Sequence, residues 1–72
     1  MMTKGVITRI DAPNGKIGIK HEAIDNLKMP PMTMVFRVAD PALLEGLKVG
    51  DAVRFHAEHP AGKLTVTAIQ RQ

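Results

Sequence analysis

Residues 16–38 read KIGIKHEAIDNLKMPPMTMVFRV, and both ends of this stretch alternate with period two. In the first run Ile17, Ile19 and His21 fall on one face, and Lys16, Gly18 and Lys20 on the other. In the second, Met32, Met34, Phe36 and Val38 share a face opposite Thr33, Val35 and Arg37. Successive side chains of a strand point to opposite sides of a sheet, so this pattern predicts two half-buried strands. Parity groups His21 with two isoleucines and both methionines with Phe36. All three therefore face the core or its rim. Between the runs, Glu22 to Leu27 suits one helical turn, with Ile24 and Leu27 on the same side. Pro30-Pro31 disfavour helix in the residues before them and stiffen the approach to the second strand.

The flanks extend the same architecture. Residues 3–11 are rich in β-branched residues and read as a strand, with Val6, Thr8 and Ile10 on one face. Ala12-Pro13-Asn14-Gly15 follows as a tight turn, because Asn and Gly both tolerate positive φ. Beyond the quoted stretch, Asp40 suits an N-cap and Pro41 the first position of a short helical turn, which Gly46 can end. Asp51 to His59 predicts a strand with Val53, Phe55 and Ala57 inward. Pro60-Ala61-Gly62 connects it to a last strand, Lys63 to Gln70, with Leu64, Val66 and Ala68 opposing Thr65, Thr67 and Ile69. Five short strands, with longer excursions after the second and third, predict an all-β fold. The expected form is a small five-stranded Greek-key barrel, OB-like. An open five-stranded sheet or an SH3-like barrel is the alternative. A chain of 72 residues implies one domain, 1–72.

Composition narrows the function classes. There is no Cys, so disulfides and thiolate zinc sites are excluded. The formal charge of +3 is mild, and a charge of that size is usually a solvated surface. No apolar run approaches the roughly 20 residues that span a bilayer, so membrane insertion is not expected. Met1 to Gly5 includes no apolar stretch long enough for a secretory signal. That leaves a cytoplasmic protein, or one whose leader or preceding domain lies outside these residues. No nucleophile–base set and no acid pair is visible, which argues for a binding protein rather than an enzyme.

Of the five methionines, Met29, Met32 and Met34 fall within six positions, and His21 stands eight residues before the first of them. Thioethers and one imidazole form a soft, uncharged donor set. Such donors select Cu(I), which Ag(I) resembles in softness and charge. They do not favour Zn(II) or Mg(II), whose sites commonly include thiolate or carboxylate. Methionine is also a routine core filler, so spacing alone leaves packing and ligation both open. His56 and His59, three apart on a strand, lie on opposite faces and read as surface residues. Two other functions compete. A nucleic-acid-binding module would stack bases on exposed aromatics, but Phe36 and Phe55 both face inward. A structural adaptor would dock through Lys4, Arg9, Lys16 and Lys20 around the first hairpin.

The ordered pattern His21…Met29-Pro30-Pro31-Met32-Thr33-Met34-x-Phe36 resembles the CusF family, small periplasmic copper- and silver-binding proteins of metal-efflux systems. The likeness extends to the opening Gly5-Val6 strand, the Lys-Ile-x-Ile-x-His strand and Leu47-Lys48-Val49-Gly50-Asp51-x-Val53-x-Phe55. It implies an OB-like barrel and a Cu(I) or Ag(I) site made by His21, Met32 and Met34. It also implies a periplasmic location and transfer of the ion to or from a membrane fusion protein and its pump, with the carrier a monomer. Family members commonly have Trp where this chain has Met29. The aromatic caps the metal by a cation–π contact that a chain without Trp or Tyr lacks there. Met29 is then a third thioether ligand or an apolar cover.

Because the inward residues are mostly aliphatic, the core should form without metal, unlike that of a zinc finger. The metal-free protein is expected to give a β-sheet circular dichroism spectrum and a cooperative melt. An unfolded spectrum would contradict this.

Overall fold

The computed structural model describes residues 2–72. Five strands form a closed barrel: β1 (Thr3–Asp11), β2 (Lys16–His21), β3 (Met32–Val38), β4 (Ala52–Glu58) and β5 (Thr65–Arg71). Around the barrel they run β1-β2-β3-β5-β4, and β4 returns to pair with β1. All pairings are antiparallel except β3 with β5. This is the expected Greek-key, OB-like arrangement.

Local chemistry accounts for the turns. Gly15 closes the Ala12–Asn14 3-10 turn at φ 62, a left-handed conformation that costs glycine little. The Asp40 side chain accepts from the Ala42 N–H and caps the 3-10 turn Pro41–Leu44, as its position before proline predicts. The turn expected over Glu22–Leu27 is shorter, a 3-10 turn at Asp25–Leu27 that follows an extended Ile24. Ile24 is fully buried and Leu27 packs against the core margin.

The core is one cluster built around Phe36 and Phe55, with Ile7, Ile17, Ile19, Val53 and Val66 among its buried members. Phe36 and Phe55 meet edge to face at 5.5 Å, the geometry that ring quadrupoles favour.

Two strands differ from their expected faces, for the same reason. In β1 the buried residues are Thr3, Gly5 and Ile7, while Val6 is exposed. The β1–β2 register shifts between Ile7 and Arg9, so Thr8 is an extra residue and parity inverts beyond it. In β5 the register against β4 shifts between His56 and Ala57, leaving Thr67 unpaired. Ile69 then lies opposite inward Phe55 and packs on the core. Ala68 lies opposite His56 on the other face. A bulge adds one residue to one strand and reverses every face assignment after it.

The β1–β2 contact is closest at Gly5. A Cβ there would lie 2.6 Å from Ile19 Cγ2, 3.0 Å from the Lys20 carbonyl and 3.3 Å from His21 Cα. Gly5→Ala forces this ladder apart and should cost about 1–3 kcal/mol, as overpacking does. For a domain of this size that lowers the melting temperature by roughly 4–20 °C. An unchanged melt would show that β1 yields without loss.

Candidate metal centre

His21 ends β2 and Met32 begins β3, and the two are direct cross-strand partners. Met34 lies two residues further along, opposite Ile19. Opposed residues of an antiparallel pair sit about 5.5 Å apart at Cα, and diagonal neighbours about 7–8 Å. Ile19 is fully buried, so all three donors project from the inward face of the ladder. Exposure grades along it. His21 is 3% exposed and Met32 39% exposed, while Met34 is intermediate and packs against the core. The imidazole is thus enclosed, Met34 is partly covered and Met32 is open to solvent.

The state of the imidazole follows from its neighbours. Nδ1 lies 2.7 Å from the Glu22 carbonyl oxygen. A carbonyl only accepts, so Nδ1 carries the proton and donates. In the neutral ring, Nε2 is then a bare lone pair. It is buried and has no hydrogen-bond partner among the described residues. The ring also stands edge-on to Phe36 at 5.6 Å and to Phe55 at 6.1 Å, which places it in an apolar wall. An unpartnered polar atom there costs about 1–3 kcal/mol. A metal-ligating histidine characteristically donates its other ring N–H to a carbonyl or carboxylate, which fixes the tautomer. His21 has that arrangement.

Met29 reaches this end of the barrel by a tether that its sequence context does not reveal. Ile24 and Met29 form an isolated bridge, with Ile24 N–H to Met29 O at 2.9 Å and Met29 N–H to Ile24 O at 3.1 Å. Lys28 closes the loop at φ 52. Asn26 Nδ2 donates to the Ala57 carbonyl at 3.0 Å, tying the loop to β4. Buried Ile24 anchors Met29, and Pro30-Pro31 continue from it into β3. Met29 itself is half-buried against the core.

Among the described residues no three His, Asp or Glu side chains gather as a hard-donor metal group. His56 Nε2 lies 3.9 Å from Glu58 on the outer side of β4, and His59 is exposed beyond the end of that strand. The structure does not bring these two to His21. Phe36 and Phe55 are buried, so neither ring face is open for base stacking. The roles of Gly5 and of the Ile24 anchor were not drawn from the sequence, although a glycine inside a strand is itself a signal of close backbone approach.

Residues 1–71 match the family model described as "Copper binding periplasmic protein CusF". The cation efflux system protein CusF of Escherichia coli O157:H7 is 36% identical over 52 residues, 72% of this chain and 47% of that protein. The chain spans about half the length of the curated relatives it matches. Apo-CusF from Escherichia coli superposes with a TM-score of 0.87 at 28% identity, over all of this chain and 86% of that one. Ag(I)-bound CusF gives 0.84 at 27% identity, over all of this chain and 96% of that one. The C-terminal domain of SilB from Cupriavidus metallidurans gives 0.81 at 33% identity, over 99% of this chain and 85% of that one.

The buried lone pair on Nε2 has a measurable consequence without metal. His21→Leu removes the orphaned acceptor and keeps an apolar side chain of similar bulk. The metal-free variant should melt at or above the parent temperature, gaining up to about 2 kcal/mol once the lost Nδ1 hydrogen bond is offset. A loss of stability would mean that Nε2 is satisfied in solution.

Proposed function

The chain belongs to the CusF family, and from that premise we propose that it binds one Cu(I) or Ag(I) ion through His21, Met32 and Met34. The observation that carries the reading is the His21 ring, whose Nδ1 is committed to a carbonyl and whose buried Nε2 has no partner among the described residues. Nε2 supplies the σ-donor, and the two thioethers supply soft sulfur from the facing strand. Met29 adds a third sulfur; its backbone is tied to buried Ile24 by a bridge, and relatives commonly carry an aromatic at its position. Residues 1–72 act as one metal-binding unit.

The proposed role is carriage rather than catalysis. Every donor is neutral, so the ion is held without a strong charge term. Met32 is the exposed member, and an incoming methionine of another protein can reach the ion from that side. Ligands then exchange one sulfur at a time while Nε2 stays bonded. The recipients or donors are a membrane fusion protein and its pump components, in the periplasm. Among the described residues no helix is long and apolar enough to cross a membrane.

Native mass spectrometry after mixing with Ag(I) should show one bound ion, absent in the Met32→Ala/Met34→Ala double variant. Retention of the ion in that variant would remove the pair from the site. Silver at about 100 times its Kd should stabilise the parent by about 2.7 kcal/mol, raising the melting temperature by roughly 10–20 °C. Met29→Leu keeps the apolar bulk and deletes the sulfur. It should weaken silver binding about tenfold or more, the equivalent of about 1.4 kcal/mol. Equal affinity would leave Met29 as a cover.

A further inference from the structure

β3 pairs with β2 along its whole length, but with β5 only at Arg37↔Thr65 and Val38↔Val66. The hydrogen bonds show which way its amides point. Val38 N–H donates to Gly15 O on the β2 side, whereas Arg37 N–H donates to Leu64 O and Ala39 N–H to Val66 O on the β5 side. This direction alternates along a strand. The N–H and C=O groups of Thr33 and Val35 therefore point away from β2, and among the described residues no strand pairs with them there. Pro30-Pro31 end this free edge on one side and the β5 pairing ends it on the other.

A groove of about 410 Å³ opens beside it, lined by Lys16, Arg37, His59 and Lys63 together with Val35 and Leu64. Among the described residues no carboxylate lines it. The ion pairs Arg9–Asp11 and Arg71–Asp51 lie elsewhere, and Lys16, Arg37 and Lys63 belong to no ion pair among the described residues. Val35, 51% exposed, is an apolar step between the edge and the cations. Of the basic residues around the first hairpin, Arg9 pairs with Asp11, and Lys16 lines this groove with cations from β3 and the β4–β5 connection.

We propose that the Thr33–Val35 edge of β3 and this cationic groove dock an extended acidic segment of a partner polypeptide, added as a short strand. Main-chain groups of a free edge supply affinity in strand addition, and flanking side-chain contacts supply specificity. Natural proteins usually block such edges, and this one is left open next to unpaired positive charge. The charge selects an acidic segment. A single-stranded nucleic acid would want open ring faces, and both phenylalanines are buried. β3 also carries Met32 and Met34, so a segment docked on its outer edge runs alongside the proposed metal donors. The inference rests on the edge and the groove alone, and its test uses metal-free protein.

The probe is a synthetic peptide of alternating Glu and Val, titrated at low salt into ¹⁵N-labelled metal-free protein. Saturable shifts are expected at Thr33, Val35, Arg37 and Lys63, with the Thr33 and Val35 amides gaining protection from solvent exchange. A peptide of equal charge with every backbone amide N-methylated has no N–H to donate along the edge and should bind about tenfold more weakly. Arg37→Glu/Lys63→Glu should abolish the shifts. If that pair disturbs the spectrum, Lys63→Glu alone, in a connecting loop, should weaken them. Absence of saturable shifts, equal binding of the N-methylated peptide, or tighter binding of single-stranded DNA would each overturn the proposal.

Discussion

Ile17 and Phe36 lie opposite each other in the β2–β3 ladder, and burying that pair sets the register of everything around it. With Ile17 against Phe36, Ile19 faces Met34 and His21 faces Met32. A slip of one residue would turn His21 to the outer face and expose two isoleucines, a change that a buried face does not permit. The register is reinforced from both ends. Val38 N–H donates to Gly15 O at the closed turn, and Gly5 lets β1 press against Ile19 and the backbone of His21. The placement of the proposed donors is thus a by-product of core burial rather than of any contact among the donors themselves.

Within that frame the imidazole is a local compromise. Its Nδ1–H satisfies the Glu22 carbonyl, and its ring packs edge-on against both Phe36 and Phe55. Its second nitrogen finds no partner among the described residues. A domain of this size buries only about 60% of the surface its unfolded chain exposes, so an orphaned acceptor is a noticeable fraction of its margin. Such exceptions in native structures commonly mark a ligand, a reactive group or an unseen partner. Here the soft sulfurs on the facing strand make a ligand the economical explanation.

The barrel is polarised along β3. One end carries the neutral side chains of Met32 and Met34 beside His21, and Met32 is open to solvent. The other carries Arg37 beside Lys16 and Lys63, around a groove whose described lining includes no carboxylate. Between them the β3 backbone turns two residues' worth of polar groups outward without a strand to meet them. Recognition of a partner and retention of an ion would then use different chemistry on one strand. Charge and main-chain hydrogen bonds would orient the partner, and neutral sulfur would hold the ion until exchange.

Period-two alternation made β2, β3 and β4 legible, because each strand keeps one parity from end to end. Gly15, Asp40 and Pro41 marked turns through backbone preferences that act locally. The same local information grouped His21, Met32 and Met34 on an inward face and raised Met29 as a fourth candidate. It failed in β1 and β5. A bulge at Thr8 or Thr67 leaves residue types unchanged while reversing every face beyond it, and only pairing with the neighbouring strand reveals it. The Ile24–Met29 bridge, the unpartnered Nε2 and the free edge of β3 were likewise beyond the sequence, since each depends on which groups find partners across the closed barrel. Sequence alone determined the donor types and their parity. Tertiary structure decided their burial and which backbone and side-chain groups remain unsatisfied, because hydrogen-bond pairing and exclusion of water are properties of the closed sheet rather than of any one strand.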